Sequence, residues 1–378
     1  MTTKTRSIFE EVTADQRPVT APGGISGGRR DGRAAIRVWL MTLFALVVAM
    51  IVVGGLTRLT DSGLSITEWS PVMGALPPLS DADWQVAFDA YRASPQYGAL
   101  NRGMELSAFQ TIFWWEWGHR QMGRVIGLVW AAGFVFFLVT RRIPPRWTPR
   151  LLLLGALGGT QGAIGWWMVH SGLQEGMTSV ASYRLAVHLG LAFIILGLLA
   201  WYALHMGRRD ADLMVARRTG TARLFAGATG LVHLTMLQIL LGALVAGIDA
   251  GRAFPTWPLM GDGFLPPDPF SRDPWWRAFF EDAGLVQFIH RMTGYGLFAL
   301  GLYVWVRARG SANAATRFAF DMMMAMLVLQ MVIGIVTVLY SAPLHIAILH
   351  QAGAIVLWVL ILRARFLARY PLTQSVRG

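Results

Sequence analysis

Four of the eight histidines in this chain are placed so that they could act together. His119 and His188 lie in the first half, His290 and His350 in the second, and each falls one or two turns inside the same end of an apolar stretch. Two imidazoles at equal depth in a helical bundle can face each other across an apolar gap and hold a haem iron from both sides. Zinc would ask for a third or fourth ligand from Cys, His or a carboxylate. The chain has no cysteine, which excludes disulfides, iron–sulfur clusters, thiolate-ligated haem and a cysteine nucleophile. A single membrane histidine usually does no more than bond a neighbouring helix. The argument for ligation is therefore the recurrence of two pairs at matched depth.

The neighbours of these histidines are also informative. Glu116 precedes His119 by three residues and shares its helix face, whereas the corresponding place before His290 holds Gln287. A carboxylate found in one half only could exchange protons beside a reactive site, its pKa raised by burial; the alternative is an ion pair with Arg120 at i+4. Arg120 and Arg291 directly follow two of the histidines. Guanidinium suits a haem propionate, and it also suits snorkelling to headgroups. Gly123, Gly127 and Gly294 would let a porphyrin or another helix approach closely. His170 and His205 fall at span ends, His233 lies deeper and is expected to bond a neighbouring helix, and His345 follows a turn at Pro343.

The elements that must position these groups are membrane spans. The composition is 54% hydrophobic and 14% charged, too sparse in charge for a soluble core of 378 residues. A bilayer core needs about 20 apolar residues per helix. Such stretches are expected at residues 38–57, 114–140, 151–169, 183–206, 224–248 and 285–306. The uncharged run 322–362 is too long for one span, and Pro343 divides it into two. Residues 1–36, polar and rich in Gly and Arg, are expected to be a disordered cytoplasmic tail without signal-peptide character.

With eight spans both termini fall on one side. Arginines of the tail and of segments 141–150, 208–223, 307–317 and 363–369 share that side, and most acidic residues fall in the two long Trp- and Pro-rich segments 58–113 and 249–284. The positive-inside rule then places both termini in the cytoplasm and accounts for the net charge of +12 without nucleic acid. Loops of this length usually cover a site or cap the interface.

The two halves repeat. Gly54, Asp61, Gly63 and Trp69 recur at the same spacings as Gly242, Asp249, Gly251 and Trp257. His119-Arg120-Gln121-Met122-Gly123 corresponds to His290-Arg291-Met292-Thr293-Gly294, Gln161 and Gly165 to Gln330 and Gly334, and His188 to His350. The expected fold is an all-α membrane protein of eight transmembrane helices in two pseudo-symmetric four-helix bundles, residues 37–210 and 211–378. Units with an even number of spans are related by an axis along the membrane normal. A transporter of parallel repeats would place its polar site at the midplane, but here the polar residues cluster at the outer edge.

The run Gly54-Gly55-Leu56-Thr57-Arg58-Leu59-Thr60-Asp61-Ser62-Gly63-Leu64-Ser65 carries a resemblance, with Trp69-Ser70-Pro71, Glu116-x-x-His119-Arg120, His290-Arg291-Met292-Thr293-Gly294 and His350-Gln351. From about residue 37 to 366 the chain resembles the heme A synthase family, in its cysteine-free, alphaproteobacterial or mitochondrial-like branch. The resemblance implies a bacterial inner-membrane oxidoreductase that converts the C8 methyl of heme O to a formyl group through successive hydroxylations. It implies that His290 and His350 ligate a resident heme b, that His119 and His188 hold the substrate heme O, and that Glu116 is the essential carboxylate. A heme O synthase is the partner it implies; an oligomer is compatible with it. A di-haem b-type cytochrome working with quinone would explain the four histidines equally, but not the carboxylate present in one half alone.

Overall fold

Residues 32–373 are described in a computed structural model, and they form helices and loops with no β-strand. The expected tail lies, up to residue 31, outside the described residues. Eight helices have 25 residues or more: α1 (Arg33–Leu59), α4 (Leu106–Val139), α5 (Thr148–Gly172), α6 (Ser182–Met206), α8 (Ala222–Gly247), α10 (Ala283–Arg309), α11 (Ala314–Leu339) and α12 (Leu344–Arg369). Each overlaps a stretch expected from hydropathy, and α11 and α12 part at Pro343 as expected. Four short α-helices, α2 (Asp81–Arg92), α3 (Pro95–Leu100), α7 (Asp210–Arg218) and α9 (Ala278–Glu281), and three single 3-10 turns complete the order among the described residues.

Six helices (α1, α4, α6, α8, α11 and α12) are long and apolar enough to cross a membrane. The chain is thus a multi-pass α-helical membrane protein. The other two long helices fall short on composition. In α5 the apolar run is diluted by Gly155, Gly158, Gly159, Gly162 and Gly165, and α10 carries His290 and Arg291 inside its length.

Packing follows the repeat. Helix α1 packs on α4 and α6, and α5 closes the set against α4 and α6; in the second half α8 packs on α10 and α12, and α11 closes against both. The halves meet where α6 touches α8 and α12, and where α1 touches α12. Trp358 of α12 donates to the Phe193 carbonyl of α6 at 3.1 Å, and Gln351 of α12 to the Ile51 carbonyl of α1 at 2.6 Å. Apolar side chains fill each half: Leu40, Leu151 and Leu196 in the first, Leu231, Phe320 and Met323 in the second, all buried.

The long loop 58–113 is ordered by a small core of its own. Helix α4, with 34 residues, is ~51 Å long at 1.5 Å per residue, so its N-terminal turns project beyond a ~30 Å hydrocarbon layer. There Phe109 and Phe113 pack with Phe88 and Tyr91 of α2. Helix α2 opens on a capping box: the Asp83 N–H donates to the Ser80 hydroxyl at 3.1 Å, and the Ser80 N–H to the Asp83 carboxylate at 3.0 Å. The Ser80 side chain foremost, then the Leu79 and Ser80 N–H groups that donate to the carboxylate, hold the Asp83 carboxyl below the ordinary carboxylate range. After α1 and after α8 the chain turns through Asp61 (φ 51°) and Asp249 (φ 52°), a left-handed conformation that Asp tolerates better than bulkier residues.

Candidate functional site

Each recurrent histidine is seated in the same way. His119 on α4 lies against Gly54 of α1, His188 on α6 against Gly165 of α5, His290 on α10 against Gly242 of α8, and His350 on α12 against Gly334 of α11. A Cβ at these glycines would stand 2.9, 2.9, 3.2 and 2.9 Å from the respective imidazole Cε1. Only glycine leaves room for the ring, which explains why histidine and glycine recur together in the sequence.

A glutamine one turn from the glycine fixes three of the four. Gln161 Nε2 donates to the His188 carbonyl at 3.0 Å and rests 3.2 and 3.3 Å from its two ring nitrogens. Gln238 holds His290 in the same way, with a 3.0 Å bond to its carbonyl, and Gln330 holds His350 with a 2.8 Å bond. His119 Nδ1 is buried without a hydrogen-bond partner.

These surroundings suit haem better than a bare metal ion. Among the described residues no group of three or more His, Cys, Asp or Glu could hold a metal, whereas haem iron needs only two ligands from the protein. Each histidine pair of the repeat has two imidazoles to offer such a group, and the Nδ1 of His119 is buried with no hydrogen-bond partner.

Beside His119 the halves part company. Glu116 is 3% exposed, and all its acceptor capacity is directed. Its Oε2 accepts from the Ser65 hydroxyl at 2.8 Å and the Ile66 N–H at 2.9 Å; its Oε1 accepts from Arg120 Nε at 3.1 Å and Nη2 at 2.6 Å. The i+4 ion pair therefore exists, and it belongs to a larger cluster. In the second half Gln287 replaces Glu116 and Ala253 replaces Ser65. Gln287 Oε1 still accepts from Arg291 Nη2 at 3.1 Å, but the carboxylate and the hydroxyl are gone.

Both arginines also tie down the long loops. Arg120 donates to the Ile66 carbonyl at 2.8 Å and the Glu68 carbonyl at 3.0 Å, and Arg291 to the Phe254 carbonyl at 2.9 Å and the Leu259 carbonyl at 3.1 Å. Arg124 adds bonds to the Pro71 and Ser70 carbonyls at 2.9 and 3.1 Å. Trp69 and Trp257 occupy matching loop places, and Trp257 donates to the Tyr295 hydroxyl at 2.8 Å. The loops are thus held over the histidine ends of the helices.

The family model for cytochrome oxidase assembly protein matches residues 37–362. The chain is 65% identical over 376 residues to the heme A synthase of Ruegeria pomeroyi, covering 99% of both chains. It is 64% identical over 377 residues to that of Ruegeria sp. strain TM1040 and 58% over 375 residues to that of Paracoccus denitrificans. The chain belongs to the heme A synthase family. Every residue of the two histidine sites and of the Glu116 cluster falls inside the matched span.

In this member of the heme A synthase family, position alone did not reveal Ser65, the Ile66 amide, Arg124 or the role of the glutamines. The signal for Ser65 was its replacement by Ala253 in the repeat, beside the Glu116 and Gln287 exchange. The other histidines are as peripheral as their places suggest. His170 is 3.3 Å from Gln174, and His205 packs among Trp201, Phe366 and Tyr370. His233 departs from expectation: it bonds the Thr229 carbonyl of its own helix at 2.8 Å rather than a neighbour, because the carbonyl one turn back is within reach of its ring. His345 is the second residue of α12.

Proposed function

We propose that the chain oxidises a methyl group of heme O to a formyl group, making heme A, with the two halves doing different work. Helices α1, α4, α5 and α6 form the substrate bundle, residues 37–210, in which His119 and His188 hold heme O. Helices α8, α10, α11 and α12 form the second bundle, residues 211–378, in which His290 and His350 hold heme b. Helices α5 and α10 complete eight spans, and a pseudo-twofold axis passes between α6 and α12. The observation that carries this assignment is the Glu116–Ser65–Arg120 cluster beside His119, whose counterpart beside His290 has an arginine but no carboxylate.

Heme b, when bound, supplies one-electron redox chemistry. The residues do the rest. Glu116 sits one turn from His119 and can exchange protons with the reacting group, while Arg120 and Ser65 hold its two oxygens in place. Arg120 and Arg291 each keep a proton on Nη1 beyond the one given to a loop carbonyl, and a haem propionate is the acceptor that we assign to it. The Trp-rich loops exclude water from the outer ends of both sites.

The arginine-rich face is knit together by Arg33 with the Arg208 carbonyl at 3.0 Å and Arg208 with the Tyr370 carbonyl at 2.6 Å. We place that face, and both termini, in the cytoplasm of a bacterium with the chain in the inner membrane. A heme O synthase is the partner we propose as the supplier of substrate.

Extraction and chromatography of the haems from purified wild type, His290→Ala and His119→Ala tests this. Wild type should yield heme b with heme O or heme A. His290→Ala should lose mainly heme b, and His119→Ala should lose turnover. Heme b alone, with no conversion of added heme O, would overturn the proposal in favour of an electron-transfer cytochrome.

A further inference from the structure

The seat of His119 breaks the rule that the other three histidines obey. Gln161, Gln238 and Gln330 each stand four residues before the glycine beneath an imidazole, and each binds that histidine's carbonyl. In α1 the residue four before Gly54 is Met50. The two side chains fill the same place: a Cβ on Gly123, four residues after His119, would meet Met50 Cε at 3.4 Å, and one on Gly294, four after His290, would meet Gln238 Nε2 at 3.3 Å. Met and Gln are both unbranched and of similar length, so the exchange keeps the volume and removes the amide. A thioether has no proton to donate to a carbonyl, and His119 Nδ1 has no partner.

We propose that Met50 makes His119 the releasable ligand of the substrate haem. This rests on the two-site reading above. A resident cofactor is best held by ligands whose backbone and ring are both fixed, and His290 and His350 have that support. A substrate must enter and its product must leave. In the first half His188 is fixed by Gln161, so one ligand holds the haem while the other, on the helix that carries Glu116, lets go. Met50 is a positioning residue that acts through His119.

The test uses full-length protein in detergent, loaded with heme O, and follows haem transfer to excess apomyoglobin optically, together with the low-spin electron paramagnetic resonance signal of the ferric sites. Partners that orient a metal ligand typically change metal affinity about 10–100-fold. Met50→Gln should therefore slow transfer of heme O roughly tenfold and shift the low-spin signal of that site, with heme b retained. Gln238→Met should speed loss of heme b by a similar factor and leave heme O release unchanged. Met50→Gln with wild-type transfer and an unaltered signal would overturn the proposal. If Met50→Gln does not accumulate, Gln238→Met decides, and unchanged heme b release overturns it. Wild type that binds heme O without ever converting it defeats the synthase reading while the transfer rates still judge Met50. Wild type that takes up no heme O defeats both.

Discussion

Arg58 Nη2 lies 2.9 Å from Asp249 Oδ2, joining the end of α1 to the turn after α8, while its Nη1 lies 2.9 Å from Asp61. Asp61 and Asp249 are the same residue of the repeat, and Ala246 stands where a second arginine would be. One guanidinium therefore serves two carboxylates from equivalent places of the sequence repeat. Both carboxylates are half or more exposed, so the contribution is modest. Arg58→Ala should destabilise the purified protein by about 1 kcal/mol. A thermal unfolding scan should show a small drop in midpoint that high salt also produces in the wild type.

Glu116→Gln should leave heme b in place and stop heme A formation. The amide keeps the size and the bond from Arg120, but it carries no charge and cannot take up a proton at neutral pH. Haem analysis after incubation with heme O reads the outcome, and undiminished product would contradict the role given to Glu116.

Ser65→Ala should be milder. It removes one of the two donors to Glu116 Oε2 and leaves the Ile66 N–H at 2.9 Å. A bond to a charged group contributes about 1.5–3 kcal/mol, so turnover should fall roughly ten- to a hundredfold at unchanged heme b content. Ala253→Ser in the second half should change neither quantity.

Alanine at the glycine seats should displace the matching ligand. Gly334→Ala puts a Cβ at 2.9 Å from His350 and Gly242→Ala at 3.2 Å from His290. Both should lower bound heme b, Gly334→Ala more severely. Gly54→Ala should spare heme b and impair the handling of heme O. Pyridine haemochrome spectra of the three proteins give the ranking.

The capping box of α2 supplies a pH test outside the membrane. The folded-state pKa of Asp83 is depressed, first by the Ser80 side chain. Its stabilisation is therefore present above the unfolded pKa and is lost as pH falls through the folded value, below roughly pH 4. Asp83→Asn should increase amide exchange in residues 81–92 at neutral pH. The difference from wild type should shrink as the pH is lowered past that range.

Much of the fold was legible in the chain. Apolar length located the long helices, Pro343 separated α11 from α12, and the spacing from Gly54 to Trp69 and from Gly242 to Trp257 announced two related halves. These signals are local or periodic, and a bilayer enforces them residue by residue. The candidate site was legible in part, since the His119, His188, His290 and His350 repeat and the Glu116 and Gln287 difference are visible in one dimension. Tertiary structure decided what touches these groups. That Gly54 makes room for His119, that Ser65 and the Ile66 amide close on Glu116 from 50 residues or more away, and that Arg58 reaches Asp249 across 191 residues depend on how helices and loops approach one another. The same holds for Met50, an ordinary apolar residue of a span until its packing on Gly123 shows that it fills the place of a glutamine. Composition and period fix which segments cross the membrane; contact between side chains distant in sequence is set only when the helices pack.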